Sequence, residues 1–296
     1  MHAYRHRLCG VVVVVLLLAG RGNAQGPTIS SSSVGYIDPA IPASMFRLRF
    51  DAAFNDRAPT RGEFLLARTP GPGLPLPERR VDYQDLAAYT EVAIDPQFSL
   101  FSEIPYRMMN PEINRNHSGF SDISAGIKWA IIYDPNFVTT LQFLVRTPTG
   151  DSHQGLGTDH FSLEPALLTY WDLSSGLALE AETRITTPLG GNNGFASDVL
   201  RYGLGLKWEL YNDGDFAFAP VVEAVGWTFL DGKKTLVAAD GTATVSSASG
   251  DTIVNLKAGM RFAVVGMGDL YVGYGFPITG ARRYAEIYRV EWRMAF

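Results

Sequence analysis

MFRLRFDAAF, residues 45 to 54, sorts its side chains by parity. Phe46, Leu48, Phe50, Ala52 and Phe54 share one face of an extended chain, and Arg47, Arg49 and Asp51 share the other. Successive side chains of a strand point to opposite sides, so the stretch reads as a strand with one apolar and one charged face.

The same division recurs about eleven more times, at roughly 83–94, 98–107, 121–133, 137–147, 160–171, 177–187, 198–211, 216–228, 252–264, 269–278 and 283–296. Each run is close to the 9 to 11 or so residues that carry a tilted strand across a bilayer. The connections alternate in length. Asp95-Pro96-Gln97, Asp134-Pro135-Asn136, 172–176, 212–215 and 265–268 are tight turns, whereas 55–82, 108–120, 148–159, 188–197 and 229–251 are longer, with 279–282 a short exception. Short turns on one rim and long loops on the other predict an all-β fold: a transmembrane, antiparallel, up-and-down β-barrel of about 12 strands over residues 45–296.

A soluble β-sandwich also alternates polar and apolar residues. Two features favour the membrane barrel. Aromatic residues on the apolar parity gather near strand ends (Phe98, Tyr106, Trp129, Tyr133, Phe137, Phe161, Trp171, Tyr202, Trp208 and Phe216), as interfacial girdles require. At the C-terminus, Tyr288, Val290, Trp292, Met294 and Phe296 form an every-second-residue apolar row ending on Phe, which resembles the signal by which outer-membrane barrels are recognised by the insertion machinery.

Composition agrees. The 296 residues are 46% apolar, 12% aromatic and 19% charged, which argues against a long disordered chain. A net charge of −5 gives no electrostatic footprint for nucleic acid. The longest apolar run, Leu8 to Ala19, is too short for a membrane helix but follows Arg5 and Arg7 and precedes Gly22-Asn23-Ala24. Residues 1–24 therefore read as a secretory signal peptide, whose removal would take the net charge from −5 to −8. The single cysteine, Cys9, lies within it, so the mature chain would have no thiol, which points to a Gram-negative envelope. Residues 25–44 are rich in Ser and Pro without periodicity and read as a flexible periplasmic segment or partial plug.

With the apolar parity toward lipid, the other parity lines a lumen, because charge on the lipid face costs about 2 to 4 kcal/mol at mid-bilayer. The candidate pore-lining cations are Arg47, Arg49, Arg107, Lys128, Arg146, Arg184, Arg201, Lys207, Lys257, Arg261, Arg289 and Arg293. The anions are Asp51, Glu91, Glu103, Glu164, Glu180, Glu182, Glu223 and Glu291, with Asp85 and Glu209 on the same parity. Such ladders either act on charged or hydrogen-bonding solutes or pair across the lumen and fill it. Inward glycines, among them Gly126, Gly203, Gly205, Gly259, Gly273 and Gly275, would leave a conduit or serve strand curvature.

Catalytic and metal chemistry is poorly represented. Of the three mature histidines, His117, His153 and His160, all in or beside the long loops, His160 shares a strand face with Ser162, but two residues along a strand is about 7 Å, too far for a direct hydrogen bond. Asp151 and Asp159 in a Gly-rich loop read as solvated rather than as a cation site. No HExxH or paired CxxC pattern occurs, and no cofactor is expected.

Four runs, SDISAGIKWAI at 121–131, VRTPTGD at 145–151, GLGTDHFSLEPALL at 155–168 and LRYGLGLKWEL at 200–210, resemble the outer-membrane transporter-like barrels associated with the meta-pathway of phenol degradation. The resemblance implies a barrel that carries small, often aromatic, molecules and transfers no catalytic residue. The expectation is an outer-membrane channel, not an enzyme, for passive or gated passage of small solutes, with lipid and the insertion machinery as its other partners. The alternatives are a filled barrel acting through its long loops at 55–82 and 229–251 and, behind it, an outer-membrane hydrolase.

Overall fold

The computed structural model describes residues 34–57, 73–174, 176–191, 194–238 and 240–296. The signal peptide expected at 1–24, the start of the 25–44 segment and the middle of the 55–82 loop lie outside the described residues.

Strands alternate along the chain as β1 (Met45–Asp56), β2 (Val81–Asp95), β3 (Phe98–Pro111), β4 (His117–Phe120), β5 (Ser124–Asp134) and β6 (Phe137–Arg146). They continue as β7 (Phe161–Ser174), β8 (Leu177–Leu189), β9 (Val199–Trp208), β10 (Tyr211–Asn212) and β11 (Phe216–Phe229). The last are β12 (Lys233–Val237), β13 (Ala243–Ser247), β14 (Thr252–Val264), β15 (Gly268–Pro277) and β16 (Glu286–Ala295). Leaving out β4, β10, β12 and β13, the strands form a closed antiparallel barrel of 12. Closure is made by β1 on β16, in register from Met45 opposite Ala295 to Phe54 opposite Glu286.

Each expected strand is present, with ends displaced by a few residues. The sequence pattern missed β4, which pairs antiparallel with the end of β3, and the β12–β13 hairpin inside the 229–251 loop. It also missed the path of residues 147–160. This loop turns inward in part, burying Leu156 in the apolar cluster that also holds Tyr36 and Trp227.

Burial is inverted relative to a water-soluble protein. Outward Ile94 and Trp129 are 63% and 53% exposed, whereas inward Glu91 and Arg261 are fully buried. Lipid solvates the outer belt, so the hydrophobic effect sets which face turns outward. Aromatic rings tie neighbouring strands at the rims, as where Phe137 meets Trp171 edge-on at 6.3 Å and Phe46 meets Trp292 at 6.1 Å. The tight turns close on their own side chains: Asp95 accepts from the Gln97 N–H at 2.7 Å. Asp213 accepts from the Phe216 and Asp215 N–H groups and the Tyr211 hydroxyl, and these bonds hold its carboxyl below the ordinary range.

The inward glycines neither open a conduit nor merely curve strands. Gly203 and Gly205 receive the side chains of Ile37 and Val34, and Gly259 and Gly273 receive the ring of Tyr271. Absent Cβ atoms are thus filled by bulk supplied from elsewhere in the chain. Gly273→Val is expected to cost about 1 to 3 kcal/mol through collision with Tyr271. The readout is the temperature at which the barrel loses its fast gel mobility; a cost that persists when Tyr271→Ala is added would disprove this account.

Candidate functional site

Every charged position assigned to the inward parity is buried or half-buried inside the barrel. The side chains pair across and along the strands. Arg289 grips Asp51 with two bonds of 2.7 Å, and Arg107 grips Asp85 at 2.7 and 2.6 Å. These bidentate pairs join β16 to β1 and β2 to β3. Arg47 and Arg49 share Glu103 at 3.2 and 3.0 Å, and Arg146 meets Glu164 at 3.0 Å. Near the short-turn rim, Lys128 meets Glu91 at 2.8 Å, Arg261 meets Glu291 at 3.0 Å, and Arg261 and Arg293 share Asp269.

Residues 34–44 do not hang free in the described structure. They cross the lumen as a strap from the β2–β6 wall to the β8–β14 wall, and wall charges solvate their backbone. The Ala43 N–H donates to Glu91 at 3.2 Å, and Thr140 donates to the Ala40 carbonyl at 2.5 Å. Asp38 pairs with Arg184, while its N–H donates to Glu182 at 3.1 Å. Glu223 accepts from three successive N–H groups, Gly35 at 3.0 Å, Tyr36 at 2.8 Å and Ile37 at 3.0 Å. Guanidiniums take the carbonyls: Arg289 donates to Gly35 at 2.5 Å, Arg201 to Tyr36 at 2.6 Å and Arg261 to Val34 at 3.3 Å. A backbone without sheet partners inside a barrel must find its bonds among side chains, and the ladders supply them.

Above the strap, toward the long loops, lies a cavity of about 290 Å³. Of the expected lining residues, Arg47, Arg49, Asp51, Glu103, Arg107, Arg146, Glu164, Arg184, Arg201, Lys257 and Arg289 border it. Glu91, Lys128, Glu180, Glu182, Lys207, Glu223, Arg261, Glu291 and Arg293 do not; they fill the short-turn half with ion pairs and strap contacts. Tyr36, Asp38, Tyr83, Trp227, Arg283 and Tyr284 also border the cavity and had no signal in the alternation, because most lie outside regular strands or are aromatic on the charged parity.

One sequence argument fails. The Ser162 hydroxyl lies 3.3 Å from His160 Nδ1, not about 7 Å, because Asp159 adopts a left-handed backbone (φ 62°) and His160 precedes the strand. The same Nδ1 lies 2.8 Å from the Phe161 carbonyl. That contact requires a proton on Nδ1, so in this tautomer Nδ1 cannot accept one from Ser162. Asp151, weighed as a cation ligand, instead caps the single-turn helix Ser152–Gln154 by accepting from the His153 N–H.

Residues 81–294 match the family described as "Putative MetA-pathway of phenol degradation". The chain belongs to this family. The match takes in all four runs on which the resemblance rests, and the structure joins three of them at Asp122, which accepts from the Gly150 N–H at 3.0 Å and from the Thr158 N–H and hydroxyl at 2.9 and 2.7 Å. The strap and β1 precede the matched span.

No curated protein matches the sequence. Among solved structures, an outer membrane channel from Pseudomonas putida F1 aligns at a TM-score of 0.57 and 13% identity, covering 88% of this chain and 100% of that one. The NanC porin aligns at a TM-score of 0.48 and 11% identity over 84% and 99%. The first likeness shows the shared barrel fold. A closed barrel with this apolar belt places the chain in the bacterial outer membrane.

Proposed function

We propose that the protein is an outer-membrane channel for small solutes, gated by the strap that narrows its lumen. The observation that carries this reading is the polar cavity of about 290 Å³ on the long-loop side, separated from the short-turn rim by residues 34–44 and their ion pairs. Buried charges and hydrogen-bonded backbone in the lower half oppose free diffusion, so passage requires the strap to shift. Membership in a family named for phenol degradation and the likeness to a Pseudomonas channel support a transport role.

The filled short-turn half also favours a second reading, a closed structural barrel acting through its outer loops. Single-channel recording in a planar bilayer separates the two. Discrete steps with a reversal potential that shifts on charge substitution at Arg47, Arg49 or Glu103 are the expected result. A correctly folded, heat-modifiable barrel that stays silent would support the closed reading instead.

A further inference from the structure

Glu223 and Lys257 stand directly opposite each other on β11 and β14, a placement that ordinarily makes an ion pair. Here both Glu223 oxygens are taken by the strap N–H groups of Gly35, Tyr36 and Ile37. The Lys257 ammonium lies instead 3.5 Å from the centroid of the Tyr36 ring and 5.4 Å from that of Trp227. Among the described residues it has no hydrogen bond or ion pair, and the residue is only 3% exposed.

Arg283, in the loop before β16, is half-buried and likewise has no ion pair among the described residues. Its guanidinium carbon lies 5.7 Å from the Trp227 centroid and 5.9 Å from that of Tyr284, and its buried Nε has no partner. Both cations border the cavity, and both lie within reach of one indole ring. Every other cation bordering the cavity holds a carboxylate: Arg289 has Asp51, Arg107 has Asp85, and Arg47 and Arg49 have Glu103, with Arg146, Arg184 and Arg201 similarly paired. The buried hydroxyl of Tyr284 is also unpartnered. A buried ammonium, a buried guanidinium Nε and a buried hydroxyl, none with an acceptor among the described residues, are groups that an entering anion would satisfy.

We infer that Lys257, Arg283 and the Tyr284 hydroxyl form a binding site for a small carboxylate anion. The guanidinium fork suits the two carboxylate oxygens, and the ammonium supplies a second positive charge within reach of the same indole ring. The inference deepens the proposed function by naming a solute class, and its role in transport rests on that reading; binding itself does not.

The test is a calorimetric titration of protein purified from outer membranes into detergent, with sodium acetate at constant ionic strength. Saturable one-site binding is expected, weakened by about tenfold or more in Lys257→Gln and in Arg283→Gln. Arg80→Gln, which removes a rim cation paired with Glu112, should leave it unchanged. Arg283 lies on a loop, so that variant keeps the barrel intact, as heat-modifiable mobility checks. Absence of saturable binding, or affinity indifferent to both substitutions, overturns the site; tighter binding of inorganic phosphate overturns the carboxylate assignment. Acetate binding in a barrel that is silent in bilayers would sink the channel reading alone, and conductance without acetate binding would sink this one alone.

Discussion

Deletion of residues 34–43 is expected to raise single-channel conductance several-fold and abolish closures, since these residues span the lumen between opposite walls. The deletion keeps Ser44, whose carbonyl accepts from the Phe296 N–H and whose hydroxyl accepts from the Ala93 N–H at the rim, so the β1–β16 seam stays intact. A milder change isolates the clamp. Glu223→Gln halves the acceptor capacity offered to the Gly35, Tyr36 and Ile37 N–H groups and should increase opening frequency while leaving the amplitude of the closed level unchanged. Unchanged conductance after the deletion would remove the strap from the mechanism.

The largest expected loss of stability belongs to Glu91. Its carboxylate is fully buried and accepts from Lys128 at 2.8 Å, Ser99 at 2.6 Å, the Tyr89 hydroxyl at 2.5 Å and the Ala43 N–H at 3.2 Å. Glu91→Ala strands the Lys128 ammonium, itself 1% exposed, and breaking such a buried pair costs about 3 to 5 kcal/mol. Urea unfolding of the barrel in lipid vesicles measures it. Replacing both partners, as Glu91→Met with Lys128→Met, should restore most of the loss, because no uncompensated charge remains. A Glu91→Ala variant within about 1 kcal/mol of the parent would contradict a tight ion pair at this position.

The barrel was legible because alternation with period two is imposed along nearly the whole chain by lipid on one side and a polar interior on the other. Arg47, Asp51 and Arg289 announced their face by parity, and the structure pairs them there. What parity cannot convey is the partner of each charge. Glu223 looks like the mate of Lys257 from register alone, yet it is committed to a segment almost two hundred residues earlier in the chain. Tyr36 and Asp38 were invisible because the strap has no periodicity of its own, its backbone bonds being made to side chains. Gly203 and Gly205 signalled space without saying that Ile37 and Val34 would occupy it. The inward fold of the 147–160 loop was hidden because it is held by one leucine, Leu156, and by the Asp122 bonds to Gly150 and Thr158, none of which leaves a periodic trace.

A ring of strands is stiff along its hydrogen bonds but soft against flattening, since opposite walls can approach without breaking a ladder. The strap acts as a spoke in that ring: Ala43 is fixed to Glu91 on one wall and Val34 to Glu180 on the other. Cross-sectional roundness is therefore set by a segment that belongs to no strand, and bilayer tension that ovalises the barrel would act first on the bonds that hold the spoke.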